Sequence, residues 1–405
     1  MKFIITYNIN ELFQECQMKV FRVLITFMFL FLSLPAFAEP VINVDTEDEI
    51  IVQPKQQKFF ITGYGELHYN NIQDSNDKLE LHRFVVGFNY DFTDRIRLRS
   101  EVEFEHGFSE QYIEFAYLDF DIVRWANLRV GSILMPIGYL NQNHEPTAYY
   151  SVERPDVYVR IIPTTWMEGG GGFWGEIVDG LNYQIYVHSS LNFKDGFKDD
   201  EGFSGKSGIR GGRGKVSDLT MNDIAGSARL QYTGLKAARF GFSAWMGNTA
   251  QGDARVQGGL VTLLEADAKF FFQGLELEGL VAVIFNPEAG DMTNALRADG
   301  NISATDVIGK RMFGFMIEGA YHVFHHAWKD APVDLVVFVR YEKFDTQNQV
   351  PSGFAKNPAY DRQNVTFGLA FYPIDNIVFK ADYAVKSNDA GTGNNQFNLG
   401  VGYYF

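Results

Sequence analysis

Apolar and polar residues alternate with a period of two through much of this chain, in segments of about ten residues. That spacing sends successive side chains to opposite faces of a strand. In RIRLRSEVEFE, Ile96, Leu98, Val102 and Phe104 share one face with Ser100, while Arg95, Arg97, Arg99, Glu101, Glu103 and Glu105 share the other. LHRFVVGFNYDF places Phe84, Val86, Phe88, Tyr90 and Phe92 together, and the pattern returns in DLVVFVRYE, NVTFGLAFY and IVFKADYAV. The last ten residues, QFNLGVGYYF, keep the alternation to the terminal Phe405. About 16 such segments can be marked, an even number of the kind single-chain bacterial barrels use.

The connections give a second signal. Short turns are expected at Thr93-Asp94, around Arg124 to Asn127, and at Asp179-Gly180, Thr233-Gly234, Gln273-Gly274, His325 to Pro332 and Asp375-Asn376. Longer loops fall between them, near 70–78, 106–110, 138–169, 192–222, 248–258, 286–308, 344–362 and 388–394. Short and long alternate, as periplasmic turns and extracellular loops do in outer-membrane barrels. The expected fold is therefore all-β: a transmembrane antiparallel β-barrel of about 16 strands, its apolar faces toward lipid and its other faces toward a water-filled lumen.

Composition agrees with this. The 37 Phe and 20 Tyr are a heavy load for the core of a soluble sandwich but suit a lipid-facing surface. A basic start at Met18-Lys19, an apolar run and Ala36-Phe37-Ala38 make a secretory signal, with cleavage expected after Ala38. Residues 1–17 read as an over-long start, 39–56 as an acidic periplasmic arm and 57–405 as the barrel. Cys16, the one cysteine, lies ahead of the signal, so the mature chain can form no disulfide or thiolate site. Without residues 1–38, 32 basic residues face 48 acidic ones, a net charge of −16 that does not suit nucleic-acid binding.

Candidate pore-lining residues are Arg83, Arg95, Arg97, Arg99, Glu101, Glu103, Glu105, Arg129, Arg340, Glu342 and Lys380. Arg95, Arg97 and Arg99 form either a positive stripe or one half of a set of cross-strand salt bridges. The longest aromatic and charged loop, Gly138 to Gly172, is expected to fold partly inward, with His144, Glu145, Glu153, Arg154, Asp156 and Arg160 as constriction residues. The alternative is that Glu153 and Arg154 merely pin it to the wall. GFSGKSGIRGGRGK fails as a phosphate loop, because Asp200 stands where the first glycine is required and no strand-to-helix frame surrounds it. It reads as a mobile loop that could touch anionic lipopolysaccharide. His322, His325 and His326 are the only histidine cluster visible along the chain, and read as a polar turn. No G-x-S-x-G elbow occurs, so an enzyme is not expected, nor is any cofactor or metal.

GSILMPIGYLNQNHEPTAYYSVERPDV, then IIPTTWMEGGGGFWG, with the LHRFVVGFNYDFTDRIRLRSEVEFEH hairpin upstream and a terminal Phe, resemble the bacterial outer-membrane porins, particularly phosphate-selective porin O and P type proteins and their uncharacterised relatives. The resemblance implies a 16-stranded barrel, commonly trimeric, with passive flux of small hydrophilic solutes across the outer membrane of a Gram-negative bacterium. It also implies that Phe405 is the signal read by the barrel-assembly machinery. Phosphate-selective relatives depend on clusters of arginine and lysine, and only Arg95, Arg97 and Arg99 resemble one. An anion-selective channel and a surface adhesin or structural barrel acting through its loops are the alternatives, the latter favoured by a lumen plugged by residues 138–172.

Overall fold

The computed structural model describes residues 58–196, 202–217, 220–303, 305–328 and 332–405; the expected signal and periplasmic arm lie outside them. The strands are β1 (Lys58–Ile72), β2 (Lys78–Asp91), β3 (Ile96–Glu105), β4 (Glu110–Val123), β5 (Ala126–Leu134), β6 (Met167–Val178), β7 (Leu181–Ser189), β8 (Gly202–Ser204) and β9 (Gly208–Gly211). They continue as β10 (Ile224–Leu235), β11 (Ala238–Asn248), β12 (Leu260–Phe272), β13 (Leu275–Phe285), β14 (Arg311–His322), β15 (Asp334–Gln349), β16 (Asp361–Ile374), β17 (Ile377–Asn388) and β18 (Gln396–Tyr404). All but β8 and β9 join in one closed antiparallel barrel of sixteen strands, each beside its neighbour in sequence.

The seam is closed by the chain's last residues. β18 pairs with β1 from Tyr64↔Tyr404 to Ile72↔Gln396. Beyond it, Gly63 and Phe405 exchange both backbone hydrogen bonds, at 2.9 and 2.8 Å. The barrel has no open edge, which is what a lipid environment demands of a spanning sheet. Outward faces are as the alternation predicts: Val365, Phe367 and Leu369 are exposed on β16, Phe367 at 48%, while Asn364 and Thr366 are buried inward. Phe59, Phe92, Trp125, Phe272 and Phe405 stand exposed around the short-turn end, the place of an aromatic girdle.

Four boundaries differ from expectation. β10 continues through Leu235, so its turn is at Lys236-Ala237 and not at Thr233-Gly234. The Thr233 amide donates to the Gly180 carbonyl at 2.7 Å and extends the pairing past the predicted turn. β15 runs to Gln349, deep into the segment expected to loop, because neighbouring loops pair with it: Lys310 N donates to Gln349 O and Gln347 Nε2 to Val307 O. β6 begins at Met167, so the glycine run 169–172 belongs to the wall and the long loop is 135–166. The link after His322 is a longer connection containing a helical turn, α3 (Phe324–Ala327); the other α-helices among the described residues are α1 (Val157–Arg160) and α2 (Ala289–Asp299).

Candidate functional site: the occupied lumen

Residues 135–166 leave β5, fold into the barrel and return at β6. The neck is shut where the Met135 amide donates to the Trp166 carbonyl at 2.9 Å, one step beyond the Leu134↔Met167 pair. Asn141 locks it: its amide nitrogen donates to Met135 O (2.7 Å) and Trp166 O (3.0 Å), and its oxygen accepts from Trp166 N (3.0 Å).

One side of this loop is apolar. Ile137, Leu140, Val157, Tyr158, Ile161, Ile162 and Trp166 form a buried core with Trp245, Leu263, Ile284, Met312 and Phe344 of the wall. Strands β11 to β15 thus carry apolar inward faces as well as apolar outward ones, a pattern a simple water-filled tube excludes. α2 adds Met292, Ala295 and Leu296 to the same core. The glycine-rich segment is no mobile arm: β8 and β9 form a buried hairpin, and Arg213 Nη1 donates to the carbonyls of Thr164 (2.6 Å) and Thr165 (3.1 Å) at the loop's return.

The loop's other side is polar, and wall charges hold it. Arg340 donates to Ser151 Oγ (2.8 Å), Lys380 to Ser151 O (2.9 Å), and Glu342 and Asp382 accept from the amides of Val157 (3.0 Å) and Val152 (2.6 Å). Asn364 donates to Asp156 (2.7 Å), and Lys386 lies 3.5 Å from the same carboxylate. Burial alone would raise the Asp156 carboxyl; the charges of Lys386, Arg160, Arg340 and Arg362 hold it below its ordinary value. Arg340, Glu342 and Lys380, expected to line a pore, are therefore covered by the loop.

Arg83 is fully buried at the centre of a second knot. Nε donates to Glu66 (2.6 Å), Nη1 to Tyr64 OH (3.2 Å) and Nη2 to His144 O (2.9 Å), with Glu103 at 3.7 Å. His144 Nε2 lies 2.6 Å from Glu114, and Arg154 is half-buried further along the same loop. Two ladder irregularities assemble this knot, at His82 on β2 and Glu114 on β4. Each inserts one residue into its strand, so neighbours in sequence both turn inward. Strict alternation does not foresee this.

Glu153 ties the loop to β1, accepting from Asn70 Nδ2 (2.9 Å) and lying 3.3 Å from His68 Nδ1. Burial would raise its carboxyl, but the His68 hydrogen bond and charge, the His82 charge and the Asn70 amide bring it down to about 2. A carboxyl lowered on folding contributes stability above its ordinary value and loses it as pH falls through the folded one. The tether should therefore persist at neutral pH and fail between about pH 4.5 and 2. The side chain is 39% exposed, so solvent screens part of the interaction. Fluorescence of the loop's Trp166 in folded protein should change in that window, and Glu153→Gln should remove the change.

On this side of the lumen lies a cavity of about 460 Å³, lined chiefly by Tyr64, Glu101, Tyr117, Arg129, Gln142, His144, Glu145, Gln184 and Gln231. Arginines on this side meet aspartates: Arg97 with Asp121 (2.5 Å), Arg99 with Asp91 (2.8 Å) and Arg129 with Asp119 (2.7 Å). Arg129 also lies over Tyr117, 4.0 Å from the ring centre. Arg95 is exposed at the turn, and Glu105 accepts from Tyr112. The positive stripe is thus largely a set of cross-strand pairs. Tyr64 and His144 belong both to the cavity and to the Arg83 knot, so the polar lumen narrows into that knot.

No family model matches the chain. An uncharacterized protein of Aquifex aeolicus (strain VF5) is 30% identical over 356 residues, 85% of this chain and 79% of that one. The chain belongs to the same family as this Aquifex protein. Solved structures with the same barrel include Salmonella typhi OmpF in complex with daunomycin (12% identity, TM-score 0.57, covering 86% of this chain and 98% of that one). Others are the outer-membrane channel DcaP of Acinetobacter baumannii (12%, 0.56, 86% and 97%) and the trimer form of OmpT of Vibrio cholerae (12%, 0.53, 87% and 100%). The fold is that of the outer-membrane porin barrels.

Proposed function

We propose that this protein is an outer-membrane channel for passive diffusion of small hydrophilic solutes or ions, its path confined to the polar side of the lumen. The observation that carries this is the polar cavity left between loop and wall inside a sixteen-stranded barrel. A solute would pass Arg97, Arg99, Arg129 and Glu101 and meet its narrowest point at the Arg83 knot. The Arg–Asp pairing along this wall favours weak ion preference over phosphate selectivity, because each guanidinium is already balanced by a carboxylate. The barrel fold shared with channel proteins supports a channel rather than an enzyme. On this reading residues 1–38 direct export, 39–56 form the periplasmic arm, Phe405 addresses the chain to the barrel-assembly machinery, and three copies assemble among lipid and lipopolysaccharide, as the OmpT trimer suggests.

The dense apolar packing of residues 135–166 favours a second reading, a structural or surface barrel acting through its loops. Planar-bilayer recording of folded protein separates the two. The channel reading expects small discrete conductance steps, and Arg97→Glu, which sets a second carboxylate beside Asp121, should move the reversal potential toward cations. Folded protein that inserts without conducting would establish the second reading.

A further inference from the structure

Three histidines far apart in sequence meet at the long-loop end of the wall. His68 on β1 stacks on His82 on β2, with ring centres 4.5 Å apart and planes 17° from parallel; His82 meets the edge of His106 at 5.9 Å. His106 follows β3 in a left-handed turn with φ 51°, a conformation that non-glycine residues adopt only with some strain. Its amide donates to the His82 carbonyl at 3.2 Å, which fixes it beside β2. The ladder irregularity at His82 turns that ring toward Glu80.

Both rings converge on one carboxylate oxygen. Glu80 Oε1 lies 3.1 Å from His82 Nδ1 and 2.5 Å from His106 Nδ1. The ligand atoms of Glu80, His82 and His106 all lie within 4.8 Å of one another, and among the described residues theirs is the one such cluster. Around a tetrahedral ion at ordinary zinc–ligand lengths, donors stand about 3.3 Å apart, so small side-chain rotations close the set. We propose that Glu80, His82 and His106 form a binding site for a divalent transition-metal ion of the zinc, cobalt or nickel kind.

Two imidazoles and one carboxylate suit such an ion and do not suit calcium or magnesium, which take oxygen ligands. Three protein ligands leave a coordination position for water. His106 is 47% exposed, so ions can arrive from solvent. His68 is a positioning residue: its nitrogens lie 3.2 Å from Glu66 and 3.3 Å from Glu153, and its stacked ring fixes the plane of His82. Through Glu153 the site adjoins the tether of the lumen loop.

The test is titration of the full-length, detergent-folded protein with cobalt chloride, read by visible absorption of the bound ion and by displacement with zinc. Wild type should take up one cobalt per chain, lost on zinc addition. His106→Ala and Glu80→Gln should each weaken binding by at least about a hundredfold, the upper end of what loss of an outer partner alone causes. His325→Ala, at the opposite end of the barrel, should bind as wild type. Heat-dependent gel migration verifies that each variant is folded, and the readout does not depend on conduction. Folded wild type that binds no cobalt, or binding that survives in both His106→Ala and Glu80→Gln, overturns the proposal and leaves an ordinary ion-paired knot.

Discussion

Arg83→Ala should destabilise the barrel by about 3–5 kcal/mol, the range for removing one partner from a buried ion pair. Arg83 is fully buried, and its fork reaches Glu66, Tyr64 and the His144 carbonyl at once, with Glu103 beyond. Its removal leaves buried carboxylates without their cation and the loop without its grip on β2. Arg83→Lys should not rescue it, since a single ammonium cannot reproduce three donors in a planar fork. The measurement is urea unfolding of protein in lipid vesicles, where both variants should unfold at markedly lower urea. A loss below about 1 kcal/mol, as for an exposed salt bridge, would mean that the knot is solvated.

The spanning architecture was legible in the sequence because its signals are local. Alternation set the outward faces of β16 and β17 correctly, and the terminal Phe405 read as a closing strand where the structure pairs it with Gly63. The contents of the lumen were not, because they depend on residues distant in sequence. Leu263 and Ile284 face inward and Phe270 and Leu277 outward, yet all are apolar, so their phase carries no label of side. The irregularities at His82 and Glu114 change phase within a strand without a glycine or proline to announce them. Arg340, Glu342 and Lys380 were expected to line the pore, but their partners, Ser151 and Val157, sit on a loop whose landing place alternation cannot give. That loop was expected either to fold inward with constriction residues or to be pinned to the wall by Glu153 and Arg154; the structure sets Glu153 against Asn70 and His68. His82 and His106 are separated by a whole strand, which hid them in favour of the adjacent His325 and His326.

Excising the lumen loop should have the largest effect on flux. Met135 and Trp166 already face each other across the neck, so residues 136–165 can be replaced by a two-residue Asn-Gly turn that continues the β5–β6 hairpin. The sixteen-stranded wall would then enclose a wider aqueous lumen, with α2 and the β8–β9 hairpin still present. Trp245, Leu263 and Ile284 would meet water, at about 1.5–3 kcal/mol for each fully exposed large apolar side chain, so the variant should be less stable though still closed. The decisive measurement is single-channel conductance of wild type and excised protein in the same bilayer, each verified as folded. A loop that fills the lumen and sets the passage predicts small steps in wild type and a severalfold larger step after excision; equal conductance in the two would contradict it.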